Sequence, residues 1–178
     1  MASTSRLGRQ IEEVVATLDG LGVPFALIGG LALASHNVIR ATQGVDLLID
    51  ASRAEEIDKA LSKLGYHCVH RTPDAGNYLR GDERLDFLYA NRPVARRLLS
   101  TAPTLPTAFG ALHVITTEGL IAFKLQGWVN DSRRTQDLED IRALLRANRD
   151  TVDLAEVREY FGLFQRQQLL DDLLNEIG

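Results

Sequence analysis

Phe25-Ala26-Leu27-Ile28-Gly29-Gly30-Leu31-Ala32-Leu33-Ala34-Ser35-His36, followed by Val45-Asp46-Leu47-Leu48-Ile49, is the stretch that decides how this chain folds. The first apolar run stops at two glycines, as a buried strand does before a turn. Leu31 to His36, rich in Ala and Leu, reads as a short helix beginning directly after the break. Glycines at such a junction let backbone amides approach a ligand closely. A new helix start also leaves N–H groups unpaired, so the junction has the makings of a phosphate site. The second run holds one aspartate among aliphatics. An ionised carboxylate in a buried strand is costly unless a cation compensates it, and hard carboxylate oxygens suit Mg²⁺. A second such aspartate stands in Arg84-Leu85-Asp86-Phe87-Leu88. Two acidic strands beside one phosphate-binding turn are what metal-assisted phosphoryl transfer requires.

Outward from this segment, Leu7, Ile11, Val14, Val15 and Leu18 predict a helix over 6–22, stopped by Gly20 and Gly22. Ser52 is expected to cap a helix that runs to about Leu64 and ends at Gly65. Strands are predicted over 66–71, 77–80 and 84–89, with turns at Pro73-Asp74-Ala75-Gly76 and Gly81-Asp82. Pro93 opens a short helix, and two extended pieces follow around Gly110. Everything after Thr117 is helical in pattern. The expected fold class is therefore α+β: a small mixed β-sheet flanked by helices, then an all-helical C-terminal part. Residues 1–116 would form the core, and 117–178 a helical subdomain packed on it.

Composition sets the outer bounds. A chain of 178 residues is one domain, or one domain with a helical appendage. Its 45% hydrophobic and 25% charged content excludes wholesale disorder. Lys plus Arg is 20 and Asp plus Glu is 24, and the resulting charge of −4 argues against coating nucleic acid by bulk charge. A local basic patch stays open: Lys124, Arg133, Arg134 and Arg142 form either a basic rim for nucleotide or RNA, or a salt-bridged helix with Asp137, Glu139 and Asp140. Asp46 is read either as a metal ligand or as a structural carboxylate bonded to backbone amides, Asp86 either as a ligand or as a solvent-facing strand residue, Lys124 either as a phosphate ligand or as a snorkelling surface lysine, and Arg40 as a phosphate or carboxylate partner. Leu169, Leu170, Leu173, Leu174 and Ile177 form an apolar stripe that suits the core or a homodimer surface. Cys68, the one cysteine, makes no internal disulfide and is expected in the core. His67 and His70 are expected on opposite faces of a strand, a poor metal pair, and His36 and His113 have no partner in sequence. Met1 to Gln10 carries Arg6 and Arg9 and no apolar run, so no secretory signal is expected. No run approaches the ~18 apolar residues of a membrane span. The expected setting is cytoplasmic, with no membrane partner.

Ala26 to His36, with Arg40-Ala41-Thr42-Gln43-Gly44-Val45-Asp46-Leu47-Leu48-Ile49, resembles the opening motif of the polymerase-β-type nucleotidyltransferase superfamily. The likeness is greatest to the minimal bacterial-type branch that includes nucleotidyltransferase toxins of toxin–antitoxin pairs. Leu120-Ile121-Ala122-Phe123-Lys124-Leu125 and Arg133-Arg134-Thr135-Gln136-Asp137-Leu138-Glu139-Asp140-Ile141 are similar to the second half of that branch. The resemblance implies a nucleotidyltransferase-like fold and Mg²⁺-dependent transfer of a nucleotidyl group from an NTP to a hydroxyl of RNA, protein or a small molecule. It implies Asp46 and Asp86 as catalytic, metal-holding residues, and Gly29, Gly30, Arg40 and Lys124 as nucleotide-binding ones. Implied partners are the nucleotide, an RNA or protein acceptor, and a second copy of the chain or an antitoxin. The family pattern has two aspartates one position apart on the first acidic strand, and by position the first falls on Gly44. Losing a carboxylate beside a divalent ion weakens the ion's effect by several kcal/mol, so weak or absent catalysis is expected. The alternative is a catalytically inactive nucleotide- or partner-binding module of the same fold.

Overall fold

The computed structural model describes residues 5–178. The reading of Met1 to Gln10 as lacking a leader begins on residues 1–4, outside the described residues. The chain divides into two compact units, one made of the residues up to Ala32 with Ala41–Ile115, the other of Leu33–Arg40 with Thr116–Gly178.

The first unit is built on a mixed five-stranded sheet in the order β1-β2-β5-β4-β3. Its strands are β1 (Phe25–Ile28), β2 (Gly44–Ile49), β3 (His67–Arg71), β4 (Ala75–Arg80) and β5 (Glu83–Tyr89). β2 and β5 are parallel, while β1/β2, β4/β5 and β3/β4 are antiparallel. Val45, Leu47 and Ile49 of β2 alternate with Gly44 and Asp46. Leu85, Phe87 and Tyr89 of β5 alternate in the same way with Arg84 and Asp86. The first set is buried. α1 (Arg6–Leu21) and α3 (Ala54–Lys63) pack on each other, and contact β2 and β3 respectively. They bury Ile11, Val14, Leu18, Ile57 and Leu61. Tyr78 of β4 meets Phe87 edge-on, with ring centroids 5.5 Å apart. Its hydroxyl donates to Asp58 of α3 at 2.7 Å and accepts from Arg71 of β3 at 2.7 Å, tying helix to sheet. Burial, with the bond to Asp58, pushes the Tyr78 hydroxyl above its usual range. A two-stranded ribbon, β6 (Thr104–Thr107) and β7 (Gly110–His113), continues beside β1, where Ile115 donates to the Leu27 carbonyl at 3.0 Å. The helix α4 (Pro93–Ser100) precedes it, started by proline in the first turn.

The second unit is helical: α5 (Thr117–Asn130), α6 (Thr135–Ala147), α7 (Leu154–Leu163) and α8 (Gln167–Ile177). α2 (Gly29–Ser35) begins in the first unit and ends in the second. Asn148 at the end of α6 donates to the His36 carbonyl at 2.8 Å and accepts from Asn37 at 3.0 Å, which anchors the inserted segment. The stripe on α8 turns inward at Leu170 and Leu173, which are buried against α6 and α7.

Several local expectations are corrected. Cys68 is exposed, because β3 is the edge strand of the sheet. A bulge between Cys68 and His70 pairs His67 with Leu79 and His70 with Asn77, so both histidines face one side of β4 rather than opposite sides. Asp50, not Ser52, provides the cap, accepting from the Ser52 amide at 2.8 Å ahead of a short 3₁₀ turn. Ala75 and Gly76 belong to β4 rather than to the turn. A methyl at Gly76 would come 2.5 Å from the Tyr89 hydroxyl, the close approach that explains a glycine inside a strand. His36 and His113 have partners, Thr117 at 3.0 Å and Thr104 at 3.2 Å.

Phe87 fills the middle of the buried face and is 1% exposed. Phe87→Ala should lower the unfolding free energy by about 3–5 kcal/mol, read as a drop in the urea midpoint. A loss under about 1 kcal/mol would contradict this placement of the core.

Candidate functional site

In the parallel pair β2/β5, Asp46 stands directly opposite Asp86, as Gly44 stands opposite Arg84. Register partners in neighbouring strands share a face and lie ~4.8 Å apart, so the two carboxylates are side by side on the face not covered by α1 and α3. Both are half-buried. Next to Asp86, Asn77 of β4 is its register partner and donates from Nδ2 to Asp86 Oδ1 at 2.6 Å. That bond orients the carboxylate and leaves the other oxygen available.

The glycine turn meets this pair directly. Gly29 has φ +67°, a left-handed conformation that side chains disfavour, and a methyl there would strike the Asp46 carboxylate. The Asp46 side chain therefore lies over the Gly29 backbone. A methyl at Gly30 would come 2.8 Å from Thr42 Cβ. Thr42 Oγ1 in turn donates to the Gly44 carbonyl at 3.0 Å, holding the loop that leads into β2.

Gly44 is the position where the sequence resemblance leads one to expect a further carboxylate. A side chain there would come 2.9 Å from the Arg84 carbonyl and 3.0 Å from Arg84 Cβ, so β2 or β5 would have to shift to admit one. Other acids do not fill the gap. Asp50 is the cap described above, and Asp82 is bound by Arg6. Glu83 is bound by Arg80 at 2.5 Å, a hydrogen bond that holds its carboxyl below the usual range. Among the described residues there is no cluster of three metal-ligating side chains. Two neighbouring carboxylates fit one Mg²⁺, an ion that takes one or two carboxylates and completes its shell with water and phosphate oxygens. They do not make a three-carboxylate cage.

The helical unit has its own ionic cluster. Asp137 and Asp140 of α6 are 4% and 2% exposed, a costly burial without cations. Lys124 of α5 supplies one, with Nζ 3.2 Å from Asp137 and 2.9 Å from Asp140. Arg40 pairs with Asp140, and Arg134 Nε lies 2.7 Å from Asp137. Gly127 of α5 permits this, since a methyl there would come 2.7 Å from Asp137 Oδ2. Arg133 is paired with Asp131, and Arg142 with Glu139 and Glu176. Arg40 also lines a cleft of about 390 Å³ with Val38, Gln136 and Arg146. The salt-bridged helix, left open in the sequence, is thus what forms.

The structure accordingly brings Gly29, Gly30, Asp46 and Asp86 together in the first unit, and Arg40 and Lys124 together on Asp140 in the second. Sequence reasoning passed over Thr42, Asn77 and Arg84. Asn77 was within reach of it. The Gly81-Asp82 turn sets Arg80 opposite Glu83, and counting back along the hairpin puts Asn77 opposite Asp86.

No family model and no curated protein matches the chain. Solved structures do. The solution structure of the antibiotic-resistance factor ANT(2'')-Ia is 16% identical, with a TM-score of 0.71 over 99% of this chain and 100% of that one. A crystal structure of ANT(2'')-Ia with adenylyl-2''-tobramycin is 17% identical, with a TM-score of 0.69 over 92% and 99%. The lincosamide antibiotic adenylyltransferase LnuA, bound to lincomycin, is 15% identical, with a TM-score of 0.56 over 76% and 94%. The chain has the α+β fold of these nucleotidyltransferases.

Gly29→Ala should cost about 2 kcal/mol through backbone strain and the clash with Asp46. In an Asp46→Gly background the cost should fall by about 1 kcal/mol. Denaturant unfolding of the four proteins in the cycle measures this, and full additivity would contradict the contact. Lys124→Met should cost about 3 kcal/mol, because it leaves two buried carboxylates under-compensated. A thermal melt unchanged from wild type would contradict that role.

Proposed function

We propose that this chain binds a nucleoside triphosphate at the Asp46–Asp86 pair and transfers its nucleotidyl group to a hydroxyl acceptor. The observation that carries the reading is the placement of these two carboxylates, in register on neighbouring parallel strands with Asp46 over Gly29. Asp46 and Asp86 would hold one Mg²⁺, which when bound neutralises phosphate charge and polarises the reacting phosphoryl group. Asn77 fixes one oxygen of Asp86, and the absence of side chains at Gly29 and Gly30 lets the Asp46 carboxylate and Thr42 pack directly against the turn. In the transfer the acceptor hydroxyl gives its proton to water, its oxygen bonds to the α-phosphorus, the bond from the α-phosphorus to the oxygen bridging to the β-phosphate breaks, and pyrophosphate leaves. Arg40 and Lys124, whose charges are taken up by Asp140 and Asp137, are not needed for this reading.

Gly44 favours a second reading, binding without transfer. The site stops at two carboxylates, and the strand pair has no room for a third without shifting. For the acceptor, ANT(2'')-Ia and LnuA point to small hydroxyl-bearing molecules such as antibiotics. The toxin–antitoxin branch points instead to RNA or protein, with a neutralising partner.

Label transfer from α-labelled ATP, CTP, GTP and UTP to total RNA, protein and small polyols decides among these, with binding followed by calorimetry. Mg²⁺-dependent binding of at least one NTP is expected. Asp86→Asn and Asp46→Asn should weaken it at least about tenfold. Transfer lost in these variants establishes the enzyme, binding without transfer establishes the second reading, and no binding by wild type overturns both.

A further inference from the structure

Arg84 carries a charge opposite to that of the carboxylate pair and leaves the same face of the sheet. It precedes Asp86 by two positions on β5, so both side chains leave the same face about 6.6 Å apart. It stands opposite Gly44, and a side chain at Gly44 would come 3.0 Å from Arg84 Cβ. The missing side chain and the arginine thus share one space. The carbonyl of Arg84 accepts from Gln10 at 2.8 Å, which pins the backbone, while its side chain is exposed. None of the salt bridges found among the described residues includes Arg84. Four other arginines of the same unit form them: Arg6 with Asp82, Arg53 with Glu56, Arg71 with Asp58, and Arg80 with Glu13 and Glu83, whereas Arg96 donates to the Ala90 carbonyl. Asp86, within the arginine's reach, is instead engaged by the neutral amide of Asn77.

We propose that Arg84 is a polyphosphate-binding residue of the Asp46–Asp86 site, placing a fixed cation where Gly44 leaves room beside the carboxylate pair. This rests on the nucleotide-binding reading above and deepens it. Two carboxylates and one divalent ion cancel in charge, so such a site alone offers a triphosphate little net attraction. A guanidinium adds the missing positive charge and a planar fork of donors matched to phosphate oxygens. Its attraction needs no metal, whereas that of Asp46 and Asp86 reverses sign without one.

Calorimetric titration of inorganic tripolyphosphate tests this, in Mg²⁺ and in EDTA, on wild type, Arg84→Ala, Arg84→Lys and Asp86→Asn. Arg84→Ala should weaken binding about 10- to 100-fold in both conditions, with part recovered in Arg84→Lys. Asp86→Asn should lose the gain from Mg²⁺ yet bind in EDTA at least as well as wild type. If Arg84→Ala binds like wild type while Asp86→Asn loses its Mg²⁺ response, the arginine's role is overturned and the nucleotide site stands. If wild type binds in neither condition, both fall. A loss in Arg84→Ala that comes with a lowered melting temperature, and that Arg84→Lys does not recover, is structural and also overturns the inference.

Discussion

Two carboxylates held at the same level of adjacent parallel strands repel each other, and the rest of the first unit is arranged around that repulsion. Parallel pairing fixes Asp46 opposite Asp86 with no freedom to slip, since a shift by one residue would send Val45, Leu47, Leu85 and Phe87 out of the core. The hydrophobic face thus enforces the acidic one. What relieves the acidic face is local: partial access to water, the amide of Asn77 on Asp86, and a glycine turn that lets Asp46 lie against backbone.

The two units handle buried acid differently, and the contrast is informative. In the helical unit Asp137 and Asp140 are nearly fully buried and surrounded by Lys124, Arg40 and Arg134. Each of these carboxylates has cations beside it, as a structural ion network requires, although Asp137 Oδ2 accepts no hydrogen bond. On the sheet, Asp46 and Asp86 are only half-buried, and Asp86 takes its hydrogen bond from the neutral amide of Asn77.

Much of this was legible in the sequence, for physical reasons that can be named. Phe25–Ile28 and Gly44–Ile49 are apolar runs bounded by glycine and polar residues, and such runs have few alternatives to a buried strand. Asp46 and Asp86 stood out because a charge inside such a run needs an explanation. What escaped was non-local. Cys68 looked like a core thiol because nothing local reveals that β3 is the sheet's edge. His67 and His70 were assigned opposite faces because strict alternation cannot anticipate a bulge. The pairing of Lys124 with Asp137 and Asp140 was one of two open readings, whereas nothing local shows that the carboxylate partner of Arg40 is Asp140, 100 residues on. Gly44 read as a lost ligand, and only the strand pairing shows that its absent side chain is also the space beside Arg84.

The central claim is that one divalent ion is held jointly by Asp46 and Asp86 at the Gly29 bend. Crystals grown with Mn²⁺ and a non-hydrolysable nucleoside triphosphate address it by anomalous scattering. A single anomalous peak at the Asp46–Asp86 pair, with the triphosphate beside it, is the expected result. No peak at this pair, with the triphosphate bound elsewhere, would contradict it.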